Sequence, residues 1–279
     1  MGTTAPAAES RQKTLRSGSG LEAQRKYLKA LKAEHFRFNL IVADAFINGI
    51  RDIGYKSTAT ALDELIDNSI QAEAENIFVV LGFGDSENKP NSLAVVDDGH
   101  GMDPDMIRVA MLWGGSHRIN SREGFGRYGY GLPSACVSQG RKFTVYSKTN
   151  GAQFHSVCLD IGALGEREYL DEGGQIVVPA AKSAKLPSWI KKAVRTHGLG
   201  EFEHGTVVVI EDLDRLDWKT ADVLQEHLED HFGITYRNFL SDVSVFVNGS
   251  QVRVEKKVWL SLARGTAGTL RFVIGYVCP

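Results

Sequence analysis

The stretch Ala61-Leu62-Asp63-Glu64-Leu65-Ile66-Asp67-Asn68 decides how this chain is read. It lies in a helical pattern that starts at Ser57, a suitable N-cap, and runs to about Ala74. At roughly 3.6 residues per turn, Ala61, Leu62, Leu65, Ile66, Ser69 and Ile70 share one broad side, and Thr60, Glu64, Asp67, Asn68 and Gln71 form a narrow stripe opposite. Glu64 and Asn68 stand one turn apart on that stripe. Every amphipathic helix has a polar stripe, so this one gains meaning only from its surroundings. After the strand-like Ile77–Leu81 and a Gly/Asp/Asn/Pro loop, apolar Leu93–Val96 delivers Asp97-Asp98-Gly99-His100-Gly101-Met102 into a turn. There a carboxylate at a strand end is followed by glycines that let a ligand approach the backbone.

Two further elements follow. Gly126-Arg127-Tyr128-Gly129-Tyr130-Gly131 runs into a helix expected over Leu132–Ser138, so free N–H groups and the helix dipole would face an anion. The spacing GxxxxGK[ST] does not occur, and a GxGxxG drawn through Gly124, Gly126 and Gly129 has no strand before it. Glu203-His204-Gly205-Thr206 then opens the apolar run Val207–Ile210 and places a hydroxyl at the entry of a core strand. By itself that is an ordinary glycine turn with a β-favouring threonine.

The remaining pattern is a mixture without regular βαβ alternation. Met102-Asp103-Pro104-Asp105 opens a helix through Leu112, and the glycine-rich Gly114–Gly131 reads as a mobile loop. Strands are expected at Phe143–Ser147, Phe154–Leu159, Gln175–Val178, Thr206–Glu211, Val243–Val247, Gln251–Val254 and Leu270–Val277, with Asn248-Gly249 as a hairpin turn. Helices are expected at Pro187–His197 and at Trp218–Leu240, the latter broken near Gly233. These elements predict an α+β fold, a mixed sheet with helices on one face. Residues 1–34 read as a flexible basic arm and helix, with eight Lys or Arg between Arg11 and Arg37 against Glu22 and Glu34. Residues 35–255 are expected to form the main domain, and 256–279 to begin a following element that is cut short.

Composition sets the outer bounds. The 279 residues are 43% apolar and 24% charged, with 32 Lys+Arg against 34 Asp+Glu, so overall charge offers no nucleic-acid footprint. Cys136, Cys158 and Cys278 make neither a disulfide framework nor a zinc motif, no run is apolar enough to span a bilayer, and a cytoplasmic protein is expected. His227 and His231, one helical turn apart, lack a third ligand nearby and read as a solvated helix face.

In this order, the four elements resemble the ATPase domain shared by DNA gyrase, heat-shock chaperones, histidine kinases and MutL. The first box is similar to Ala61–Asn68, the second to Asp97-x-Gly99-x-Gly101, the third to Gly126-x-x-Gly129-x-Gly131 and the fourth to Gly205-Thr206. The resemblance implies a two-layer α/β sandwich of the Bergerat type, with a mostly antiparallel sheet. It implies Glu64 as the base that activates water and Asn68 as a ligand of Mg²⁺ bridging the phosphates of ATP. Asp97 would accept from the adenine amino group, helped by Thr206 through water, and Gly99, Gly101 and Met102 would pack around the base. Gly126, Arg127, Tyr128, Gly129, Tyr130 and Gly131 would wrap the phosphates, with Gly114–Arg127 as a lid.

Tyr128, Gly129 and the Asp67-Asn68 pair look most like the MORC, gyrase B and topoisomerase VI branches. Gln71, Arg127 and Pro133 depart from the usual boxes, Pro133 by interrupting the start of a helix. The family's γ-phosphate lysine has no counterpart recognisable in this chain. The implied function is slow Mg-dependent ATP hydrolysis that drives lid closure and homodimerisation in a DNA-associated or defence-type assembly, with DNA or another protein subunit as partner and no membrane. The alternatives are a histidine-kinase-like phosphotransfer domain and a nucleotide-binding module without turnover.

Overall fold

The computed structural model describes residues 29, 43–86, 88–114, 129–164, 169–172, 175–196, 203–254, 258–264 and 270–276; for 43–45, 53 and the last two segments it describes the backbone alone. The described residues from Ala43 on belong to one compact unit, Ala43–Pro279. The expected basic arm and helix therefore lie outside the described residues, Lys29 excepted.

An eight-stranded sheet organises the unit. Its strands are β1 (Asn76–Phe83), β2 (Pro90–Asp97), β3 (Gly140–Lys148), β4 (His155–Asp160), β5 (Lys182–Ser183), β6 (Gly205–Leu213), β7 (Ser244–Val247) and β8 (Ser250–Gln251). They lie in the order β5-β4-β3-β6-β2-β1-β7-β8. Neighbours are antiparallel except for β1 and β7, which run parallel. Asn248 and Gly249 turn β7 into β8 with φ of 47° and 95°, the two left-handed residues that a tight type I′ hairpin needs.

Alternation along the strands sorts side chains onto two faces. Ile77, Val79, Leu93, Val95, Phe143, Val145, Val208 and Ile210 face the helical layer and form the larger core with Leu62, Leu65 and Ile66. Those three belong to α2 (Thr58–Gln71), which follows α1 (Ala43–Ile53). Helices α3 (Pro104–Ala110) and α4 (Gly131–Gln139) contribute Ile107 and Ala135 to the same core. Leu62 is fully buried, and truncating it to Ala should cost about 2–5 kcal/mol. Ser57 caps α2 as expected: its hydroxyl accepts from the Thr60 N–H while the Thr60 side chain returns a bond to the Ser57 backbone.

The opposite sheet face carries Phe78, Val80, Ala94, Val96, Val207 and Val209, and against these lies α5 (Ser188–Thr196) through Ile190 and Val194. The α+β architecture is thus as expected, with α5 placed across the sheet from the other helices. The last helix, α6 (Ala221–Thr235), passes through buried Gly233 without the expected break, because Phe232 and Gly233 pack inward there.

Several local expectations are corrected. Gln175–Val178 is not a strand; its ladder is the single bridge Leu170↔Ile176. The strand expected at Gln251–Val254 ends at Gln251, after which the Val252 N–H bonds the Val245 carbonyl. A strand absent from the sequence reading, β9 (Val258–Arg264), pairs antiparallel with β10 (Leu270–Tyr276) in a sheet of its own. No helix among the described residues is long and apolar enough to cross a membrane.

Candidate functional site

Sheet register builds the first half of the site. Asp97 on β2 pairs with Thr206 on β6, and Thr206 pairs in turn with Ser147 on β3. Each is the next same-face residue after a core valine, Val95, Val208 and Val145 respectively, so three apolar rows end in one polar row beneath α2. Asp97 is only 5% exposed. Its Oδ1 accepts from the N–H groups of Gly99 at 3.0 Å and Thr206 at 3.2 Å, and its Oδ2 accepts from the Ser69 hydroxyl at 3.1 Å. A carboxylate has about four acceptor positions, so one remains for an incoming donor. Burial pushes the Asp97 carboxyl up to about 6, and its three donors pull the other way.

The neighbouring hydroxyls are tied down equally well. Ser147 Oγ accepts from the Met102 N–H at 2.8 Å, donates to the Gly205 carbonyl at 3.0 Å and lies 2.9 Å from Thr206 Oγ1. The turn after β2 is pressed against β3, so that a Cβ on Gly101, whose φ is 72°, would strike the Lys148 carbonyl. Only glycine meets both demands at that position. His204 Nδ1 lies 2.7 Å from the Gly99 carbonyl and joins the second and fourth motifs. Asp98, by contrast, serves the fold: its carboxylate accepts from the Glu75 and Asn76 N–H groups and from the Asn76 amide.

The second half lies along α2. Glu64 is half-buried, and its carboxylate rests against the start of α4 so closely that a Cβ on Gly131 would collide with Oε2. Burial raises the Glu64 carboxyl, a hydrogen bond from Tyr55 lowers it, and Asp63 raises it again. One turn on, the Asn68 amide has no hydrogen-bond partner among the described residues. Asp67 turns away toward α6, where the Tyr236 hydroxyl donates to it at 3.0 Å, and burial first of all lifts its carboxyl to about 6.

At the α4 start, Tyr130 stands at the cap position without a side-chain cap bond, and Ser134 N–H already bonds the Tyr130 carbonyl. Pro133 has no N–H, which leaves the Gly131 and Leu132 N–H groups as the first-turn donors without a backbone partner among the described residues. Pro133 does not interrupt the helix as expected, because a proline is tolerated in a first turn. The Gly114 N–H donates to the Gly129 carbonyl at 3.1 Å, so these two glycines meet.

A buried carboxylate at a strand end, a second carboxylate one helix away and uncapped N–H groups between them form a set suited to a nucleotide. The pattern of the family described as "Histidine kinase-, DNA gyrase B-, and HSP90-like ATPase" matches residues 55–206, more than half of the chain. The chain belongs to this ATPase family. It is 32% identical over 131 residues to the mouse "ATPase MORC2B", which is 46% of this chain and 12% of that protein. It is 30% identical to the human "ATPase MORC2" with the same coverage, and 28% identical over 141 residues to "Protein MICRORCHIDIA 7" of Arabidopsis thaliana, 49% of this chain and 20% of that one. The chain thus corresponds to a minor part of the length of these relatives.

Within this ATPase domain, Glu64, Asn68, Asp97, Gly99, Gly101, Met102, Gly129, Tyr130, Gly131 and Thr206 all fall among the described residues. Gly126, Arg127 and Tyr128 lie outside them, as does most of the expected lid. Sequence reasoning missed Ser69, Ser147, His204 and Tyr55. Ser69 had left a signal, a polar residue on the apolar side of its helix, and Ser147 another, a polar end to the Phe143–Val145 face. Of the His227/His231 pair, His227 is exposed as a solvated face requires and stacks on Trp218, whereas His231 is half-buried with its Nε2 2.8 Å from Asp63. Among the described residues no cluster of three His, Cys, Asp or Glu side chains could hold a metal.

Proposed function

We propose that this domain binds ATP with Mg²⁺ and hydrolyses it slowly, with Glu64 as general base and lid closure coupled to homodimerisation. The observation that carries this reading is the pairing of a spare acceptor on Asp97 with the Glu64 carboxylate held against Gly131. Asp97 accepts from the adenine amino group, Thr206 assists through water, Gly99 and Gly101 let the base approach, and Met102 packs on it. Glu64 takes a proton from water as that water attacks the terminal phosphorus and the bond to ADP breaks. The Asn68 carbonyl oxygen fits Mg²⁺, a hard ion that prefers oxygen and keeps several waters, and its amide has no competing partner among the described residues. Bound magnesium supplies charge neutralisation on the phosphate oxygens.

Residues 126–131 wrap the phosphates, 114–127 act as the lid, and the arm 1–34 reaches to a second copy. A non-hydrolysable ATP analogue should protect 114–131 from hydrogen exchange and promote dimers, ADP should do so weakly, and removal of 1–34 should weaken the dimer. Equal protection by ADP and the analogue, or a monomer in every state, defeats the switch. ATP binding and phosphate release measured on one preparation separate hydrolysis from binding alone, and transfer of label to a histidine would favour the kinase-like alternative.

A DNA-associated setting draws support from a second observation. Lys182, Lys185, Lys191, Lys192 and Arg195 are exposed, none is in an ion pair among the described residues, and no acidic residue lies between Glu172 and Glu201. Such a run suits phosphate contacts whose affinity falls steeply with salt.

A further inference from the structure

Tyr55 belongs to none of the four motifs and occupies the linker between α1 and α2. Its ring packs against the main core, and its hydroxyl and the Glu64 carboxylate both lie against Gly131. The same hydroxyl lies 3.5 Å from the Gly131 carbonyl, a long contact for an O–H donor. Glu64 as a base is ionised and can only accept, which makes its carboxylate a stronger acceptor than the Gly131 carbonyl for the single phenolic proton. Three groups from separate parts of the chain therefore converge: the hydroxyl from the linker, the carboxylate from α2, and the Gly131 backbone from α4. Other titratable groups near this cluster are Asp63 and Asp67 on α2 and Cys136 on α4.

Glu64 stands on the half-exposed side of its helix, where a side chain with three rotatable bonds has several rotamers open to it. Gly131 blocks movement on one side, and the Tyr55 hydroxyl is the neighbouring donor that favours the ionised carboxylate. We propose that Tyr55 is the positioning residue for Glu64, holding one carboxylate oxygen so that the other faces the attacking water. This rests on the reading of Glu64 as the base. Its physical content is that a fixed base meets water in reactive geometry far more often than a free one, and small misplacements are costly. Tyr55 acts through Glu64 and is not among the groups proposed to hold the nucleotide.

Tyr55→Phe keeps the ring and removes only the hydroxyl. In the whole chain it should lower kcat roughly 10-fold while the ATP dissociation constant and the melting temperature stay close to wild type. Unchanged kcat overturns the proposal, and so does a parallel loss of kcat, affinity and stability, which marks a merely structural role. Glu64→Gln is assayed beside it. If that variant keeps full turnover, the base assignment fails, and slow turnover by Tyr55→Phe then has another cause. A readout without nucleotide tests the contact itself: the ¹³C carboxyl resonance of Glu64, assigned by its absence in Glu64→Gln, should move in Tyr55→Phe. A resonance that stays in place shows that the hydroxyl does not hold the carboxylate and overturns the proposal whatever the kinetics.

Discussion

At the Asp97 end of the site, donors from β6, α2 and the turn after β2 meet one carboxylate that is almost closed to solvent. At the Glu64 end, a half-buried carboxylate is met by one hydroxyl and the edge of one glycine, and part of the third motif lies outside the described residues. In the proposed reading, the contrast follows from what each end would have to do. Recognition of a flat base calls for groups that do not move, and strand ends fixed by sheet register provide them. Chemistry on a phosphate calls for groups that can be assembled around it, and a helix face with an adjoining loop provides those. Mutations at the two ends should therefore change different quantities.

The largest effect belongs to Glu64→Gln. Turnover should fall about 10²–10⁴-fold while ATP affinity stays within roughly several-fold, because the base acts on water rather than on the bound nucleotide. Phosphate release together with calorimetry checks this, and a matching loss of affinity would erase the distinction between the two ends. Asp97→Asn should instead lower ATP affinity by roughly 10- to 100-fold, the scale of one lost charge-assisted hydrogen bond. GTP competing as well as ATP against the wild-type protein would break the assignment of this end to adenine.

Gly131→Ala sharpens the comparison from the middle. Its Cβ would collide with Glu64 Oε2, so kcat should drop roughly 10-fold by displacement of the base, with a smaller change in affinity. A pure affinity loss would place Gly131 with the phosphates and not with the base.

The smallest effect is on stability. Burial holds the Asp97 carboxyl at about 6, above its ordinary 3.8, so between these values the folded chain binds more protons than the unfolded one. Its contribution is fully present below the ordinary carboxylate range and is lost as pH rises toward about 6. Asp97→Asn should flatten this part of a denaturation midpoint measured against pH and leave the similar part due to Asp67, also raised to about 6. An unaltered profile would mean that Asp97 titrates like a solvated group.

Much of this was open to sequence reasoning because it is local. Ser57 as a cap, the two sides of α2, the apolar strands before Asp97 and after Thr206, and the paired left-handed residues at Asn248-Gly249 all depend on neighbours within a few positions. The helix break expected at Gly233 failed because glycine propensity is a weak preference that packing overrides, and the strand expected at Gln175–Val178 failed because apolar character does not create a pairing partner.

The sequence by itself determined the α+β class, the family resemblance and the order of the four motifs, since residue type and spacing along one chain carry these. Only the tertiary structure decided that Asp97 meets Thr206 from 109 positions away, that Ser147 closes the same row, and that Tyr55 and Gly131 flank Glu64. Register between strands and the approach of one helix to another are fixed by how whole faces pack, and a periodicity of two or of about 3.6 residues says which side a residue takes but not whom it meets there.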